Sequence, residues 1–203
     1  NAFIEQNAEA EKAKKSLGAL LSVNYQFGKL KPAENFNASM GKANQLMDEF
    51  GDLGVKLGIP ETKLAGMAKL MIPAFSAAGK STKDVVAGTA DIARLAEVAG
   101  IPIEEAASNI RNAIMTGGAR GEFTKFLGIT SKQMEAAKTE AGRMAIILGK
   151  LRGFDLEKIE GQTESWERTV GRVRVLIDKM MEAAGKPFFD EARRQVKAMS
   201  EWF

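Results

Sequence analysis

Neither cysteine nor histidine occurs anywhere in the 203 residues. Without cysteine there is no disulfide, no thiolate nucleophile and no cysteine-held zinc. Without histidine there is no Ser-His-Asp or Cys-His machinery, no histidine-held metal and no side chain that ordinarily titrates near neutrality. Catalysis would have to come from carboxylates, lysine, tyrosine or a carboxylate-held metal. The expectation is therefore a protein that is not an enzyme, with no catalytic residue, metal site or cofactor. Charge of one sign is also missing. The 29 basic and 26 acidic side chains leave a net charge of only +3 and are mixed along the chain. That pattern does not predict a specific nucleic-acid surface. The longest apolar runs, residues 70–75 and 144–148, fall far short of the roughly 20 residues that cross a bilayer. No membrane span is expected, and no signal peptide is visible.

What is present is helical spacing. Phe36, Met40, Ala43, Met47 and Phe50 recur every three or four residues, and so do Leu64, Met67, Met71 and Phe75. Further stripes follow Ile103, Ala107, Ile110 and Ile114, then Met134, Ala137, Ala141, Met144, Leu148 and Leu151. Two more follow Trp166, Val170, Val173, Ile177 and Met180, then Phe189, Ala192, Val196, Met199 and Phe203. Each stripe gives a helix one apolar face. No segment alternates with the period of a strand.

Three junctions share one pattern: LGIPETKL from Leu57, AGIPIEEA from Ala99 and LGITSKQM from Leu127. Gly58, Gly100 and Gly128 can each close a helix in the left-handed conformation, with Ile59, Ile101 or Ile129 packing back on the turn. Pro60 and Pro102 suit a first helical turn, and Thr130 suits an N-cap. The spacing predicts helices over 2–24, 33–57, 61–78, 82–99, 103–115, 120–127, 131–151, 164–184 and 187–203. Pro73 should kink or split the third. The fold class is all-α, a bundle of about eight or nine helices ending in a hairpin or extended pair. It reads as an N-terminal lobe 1–80, a central lobe 81–160 and a C-terminal amphipathic pair 161–203, or as one continuous domain, with a flexible point near 150–162. The chain starts at Asn1 and stops at Phe203 inside a helical stripe, which reads as a piece of a longer polypeptide.

Two glycine-containing stretches test for phosphate binding. AAGKST, residues 77–82, matches the end of a phosphate loop. However, Ala74 stands where that loop needs its first glycine, and a helical stripe precedes it instead of a strand. Gly79 is expected to end a helix, Ser81 to cap the next and Asp84 to complete a capping box. TGGARGEF, residues 116–123, lacks a strand before it as well and reads as a hinge. Arg168, Arg172, Arg174, Lys179, Arg193, Arg194 and Lys197 are interleaved with acids, as on a solvated surface. Glu104-Glu105 and Asp155 with Glu157 are paired carboxylates that nothing places in a cleft. The methionines, Met67, Met71, Met134, Met144, Met180 and Met181 among them, read as adaptable core filling or as a face that repacks around partner helices.

Three stretches together resemble the tail tape measure proteins of tailed bacteriophages: AASNIRNAIMTGGARGEFTKFLGITSKQM (106–134), GQTESWERTVGRVRVLIDKM (161–180) and AAGKPFFDEARRQV (184–196). The resemblance implies a structural role in tail assembly and tail-length determination. It also implies tail assembly chaperones and tail tube or tip proteins as partners, and a place in the tube lumen of the virion or, during assembly, in the host cytoplasm. One helix of 203 residues would span roughly 300 Å. Yet 20 glycines and 5 prolines interrupt this chain, at about 1 and 3 kcal/mol per interior residue. A compact domain is expected instead of a rod. Partner contacts are expected at Trp166, Met180, Phe188, Phe189, Trp202 and Phe203, with self-association through the seven-residue rhythm of the last two helices. The alternative is a freestanding helical adaptor or chaperone that grips partner helices.

Overall fold

The structure, a computed structural model, describes residues 2–154 and position 175. Among them the protein is all-helical and has no strand. The elements are α1 (Ala2–Asn24), α2 (Pro32–Leu57), α3 (Glu61–Ala77), α4 (Thr82–Ala99), α5 (Ile103–Thr116), α6 (Glu122–Phe126), α7 (Ser131–Ala136) and α8 (Glu140–Arg152). Apart from Val175, which is helical and buried, the expected pair over 164–184 and 187–203 lies outside the described residues.

α3 is the centre of the packing. It touches α1, α2, α4, α5 and α8, so it belongs to two three-helix groups, α1–α2–α3 and α3–α4–α5. Its sequence explains this position. Leu64, Ala65, Met67, Ala68, Met71, Ile72, Ala74 and Phe75 are all buried, and a helix that is apolar on most sides must be covered on most sides. Pro73 does not split it: α3 runs unbroken through that position. The local loss is the hydrogen bond that an N–H at 73 would make to the Lys69 carbonyl, and burial of the residues around Pro73 outweighs it. One core of buried apolar side chains runs from Ala13 to Leu151 and includes residues on both sides of position 80. Met67, Met71, Met134 and Met144 are buried in it.

The G-I joints close as their sequence suggests. Gly58, Gly100 and Gly128 have φ of 71°, 67° and 64°. In each case the following isoleucine N–H reaches back five residues, from Ile59 to the Gly54 carbonyl at 3.1 Å, from Ile101 to Ala96 at 2.9 Å and from Ile129 to Thr124 at 2.9 Å. This is the paired closure that satisfies the last carbonyls of a helix.

The stretch 131–151 departs from expectation. It is two helices, α7 and α8, separated at Lys138, whose φ is 55°. Thr139 provides the reason. Its hydroxyl accepts the Gly142 N–H at 3.1 Å and so caps a new helix. The apolar stripe continues across the break because α7 and α8 both bury their faces in the same core, Met134 from one and Met144, Ile147 and Leu151 from the other.

Candidate functional site

The stretch 77–82 uses its own backbone donors. The Gly79 N–H donates to the Ser76 carbonyl at 2.9 Å and the Lys80 N–H to Phe75 at 2.8 Å. The Ser81 N–H donates to the Asp84 carboxylate at 2.8 Å, and the Ser81 hydroxyl donates to the same oxygen at 2.7 Å. A phosphate loop needs those N–H groups free and no carboxylate among them. Here they form a helix closure followed by a capping box. The hydrogen bonds from Ser81 hold the Asp84 carboxyl below its usual range, helped by the nearby Lys80 and Arg152.

The second glycine stretch, 116–123, is a braced turn. Gly117 ends α5 with φ of 76°. The Ala119 N–H donates to the Ser131 hydroxyl at 3.2 Å, and the Phe123 N–H donates to the Asn109 side-chain oxygen at 3.1 Å. Arg143 of α8 completes the brace. Its guanidinium donates to the Ile114 carbonyl at 2.9 Å, to Met115 at 3.4 Å and to Met134 at 3.3 Å. A cation at the carbonyl end of α5 also suits the helix dipole. Sequence reasoning missed both Arg143 and Asn109. Each acts on a segment 9 to 29 residues away, and apolar periodicity says nothing about such pairs.

The G-I-P joints have a consequence beyond ending helices. The joint after α2 and the joint after α4 lie side by side and line an open cleft of about 400 Å³. Ile59 and Pro60 come from one, Ile101, Pro102 and Ile103 from the other. Lys63, Glu97 and Glu104 add charge. The cleft forms because α2–α3 and α4–α5 are hairpins with the same joint, and α2 packs on α4 while α3 packs on α5. Its walls are apolar, and its charges belong to side chains of the flanking helices. This is a surface for an apolar group with polar neighbours.

A third cluster is polar but spread out. The Tyr25 hydroxyl is buried and has no hydrogen-bond partner. Burial, and then the nearby Asp84 charge, push its pKa up to about 12. Burial also raises the Asp91 carboxyl, against the opposing pull of Arg94 and Arg152. The described residues contain no group of three or more acidic, histidine or cysteine side chains that could hold a metal, and no helix long and apolar enough to cross a membrane. Glu104 and Glu105 are exposed in the first turn of α5, where carboxylates favour the helix dipole. Trp166, Met180, Phe188, Phe189, Trp202 and Phe203, the expected partner contacts, lie outside the described residues, as do the basic residues from Arg168 onward. Comparison of the chain with known protein families, with curated proteins and with solved structures finds no match.

Proposed function

We propose that this chain is a structural domain of a bacteriophage tail tape measure protein, working by helix packing during tail assembly. The supporting observation is the fold of 106–134, the one of the three resembling stretches that lies within the described residues. Its turn, short helix and LGI closure form one braced unit, pinned by Asn109, Ser131 and Arg143. Asn109, Gly117, Gly128, Thr130 and Ser131 there serve shape as caps, closures and tethers. The core is built mostly from alanine, leucine, isoleucine and methionine faces, and the glycine closures fold the chain back on itself. In this reading the domain is a compact body next to a ruler, and its partners, implied by the resemblance, are tail chaperones and tail tube or tip proteins. It resides in the tail lumen after assembly and in the host cytoplasm before it.

Mass spectrometry of purified tails tests this reading. Peptides from this chain are expected in tails of the source phage or induced prophage. An in-frame lengthening of the helical part of the parent gene product is expected to lengthen those tails in proportion. Peptides found in the cell lysate but missing from tails, or tails of unchanged length, would overturn it.

A further inference from the structure

Three of the large apolar side chains exposed on the described residues gather at one end of the protein. Val23 is 84% exposed, Phe36 46% and Leu30 37%. All lie where α1 turns into α2. Leu30 stands between the exposed lysines Lys29 and Lys31. The turn is held in shape from inside. The buried Asn35 accepts the Phe27 N–H at 2.9 Å and donates to the Tyr25 carbonyl at 3.1 Å and the Ser22 carbonyl at 3.2 Å. The Gln26 amide donates to the Leu30 carbonyl at 3.0 Å and closes the turn across its base. A fixed turn that presents leucine between two cations loses little entropy on docking.

The opposite end of α2 carries the complement. α2 has 26 residues, so its far end is about 39 Å away. There the joints form the cleft with walls of Ile59, Ile101 and Ile103 and carboxylates Glu97 and Glu104. Glu61 and Glu105 stand in the first turns of α3 and α5 beside it. Val98, 38% exposed, sits next to Glu97. Lys63, and Lys56 in the last turn of α2, temper this acidic end, as Glu34 tempers the basic one. The Glu34 carboxylate accepts the Lys31 N–H at 3.0 Å and is held at the start of α2.

We propose that a second copy of this chain fills the cleft. Leu30 of one copy enters between the isoleucines of the next, and Lys29 and Lys31 face the exposed Glu104 at the cleft. The two surfaces differ and lie at opposite ends, so the contact is head-to-tail. Each added copy leaves one turn and one cleft open, and copies add until a ring closes. Apolar fit supplies the attraction, and charge sets the direction.

Sedimentation velocity of the full chain at low salt, over a wide concentration range, tests the contact. The wild-type mass is expected to rise above one chain with concentration, and less so at high salt. K29E/K31E, E104K and L30S should each weaken association by about tenfold or more. All four positions are exposed, and a thermal melt checks that each variant folds. An equimolar mixture of K29E/K31E with E104K should associate again, because the basic turn of one variant still meets the acidic cleft of the other. A wild-type chain that stays single at every concentration would sink the proposal. Association that these variants leave unchanged would also sink it and would place the contact elsewhere in the chain.

Discussion

Asn109 and Gly121 claim the same space. The Asn109 side-chain oxygen, which accepts the Phe123 N–H at 3.1 Å, sits where a Cβ on residue 121 would have to be. Glycine at 121 lets the asparagine reach the start of α6 and tie it to α5.

Gly121→Ala should therefore displace Asn109 and leave the Phe123 N–H without its partner. Phe123 is fully buried, so the expected loss is about 2–3 kcal/mol. Asn109→Ala should cost about 1–2 kcal/mol. The double variant should lose about 1 kcal/mol less than the sum, because one hydrogen bond cannot be broken twice. Urea denaturation of the three proteins measures this, and strict additivity would contradict the shared geometry.

Arg143 makes a second long-range tie. Arg143→Met removes donors to three carbonyls and should destabilise the fold by about 2–3 kcal/mol. Arg143→Lys keeps the charge but not the planar fork, so it should recover less than half of that. Amide exchange in 131–136 should speed up in both variants, more in the methionine one.

Tyr25 gives a pH signature. Its ordinary pKa of 10.0 is raised to about 12 in the folded protein. Between those values the unfolded chain releases the proton and the folded one keeps it. The stability contributed by neutral Tyr25 is thus complete below pH 10 and is lost as pH climbs to about 12. Lysines titrate in the same window, so the comparison is with Tyr25→Phe. The phenylalanine variant should lose less stability over that range, and it should fold as well as wild type at neutral pH because the hydroxyl has no partner. Identical profiles would count against the burial of this group.

The Ser81 cap separates structure from nucleotide chemistry. Ser81→Ala should cost about 1 kcal/mol, seen as a melting temperature lower by about 2–4 °C. Millimolar magnesium nucleotide should leave the wild-type melting temperature where it is. A rise of several degrees would mean that ligand binds the native state and that residues 79–82 do more than join α3 to α4.

Local signals told most of the fold. α2 to α5 begin and end within a residue or two of where stripes, caps and G-I closures place them, because those signals act over five residues or fewer. α7 and α8 were illegible as two helices. Their shared apolar stripe reads as one, and only the competition between the Thr139 cap and helix continuation separates them. The split also hides Arg143, which looks like an exposed cation in a long helix. The cleft was half legible: each joint is written in the chain, but their meeting depends on how α2–α3 and α4–α5 pack. The aromatic and methionine positions expected to touch partners fall outside the described residues.

The back-bonds at Gly58, Gly100 and Gly128 each span only five residues, so these corners need no distant contact in order to form. Among the described residues most helix partners are also near neighbours along the chain. That is the topology of a fast folder, with folding of this part expected in milliseconds or less. Each corner can form as the nascent chain leaves the ribosome, but the apolar sides of α3 stay uncovered until α5 exists.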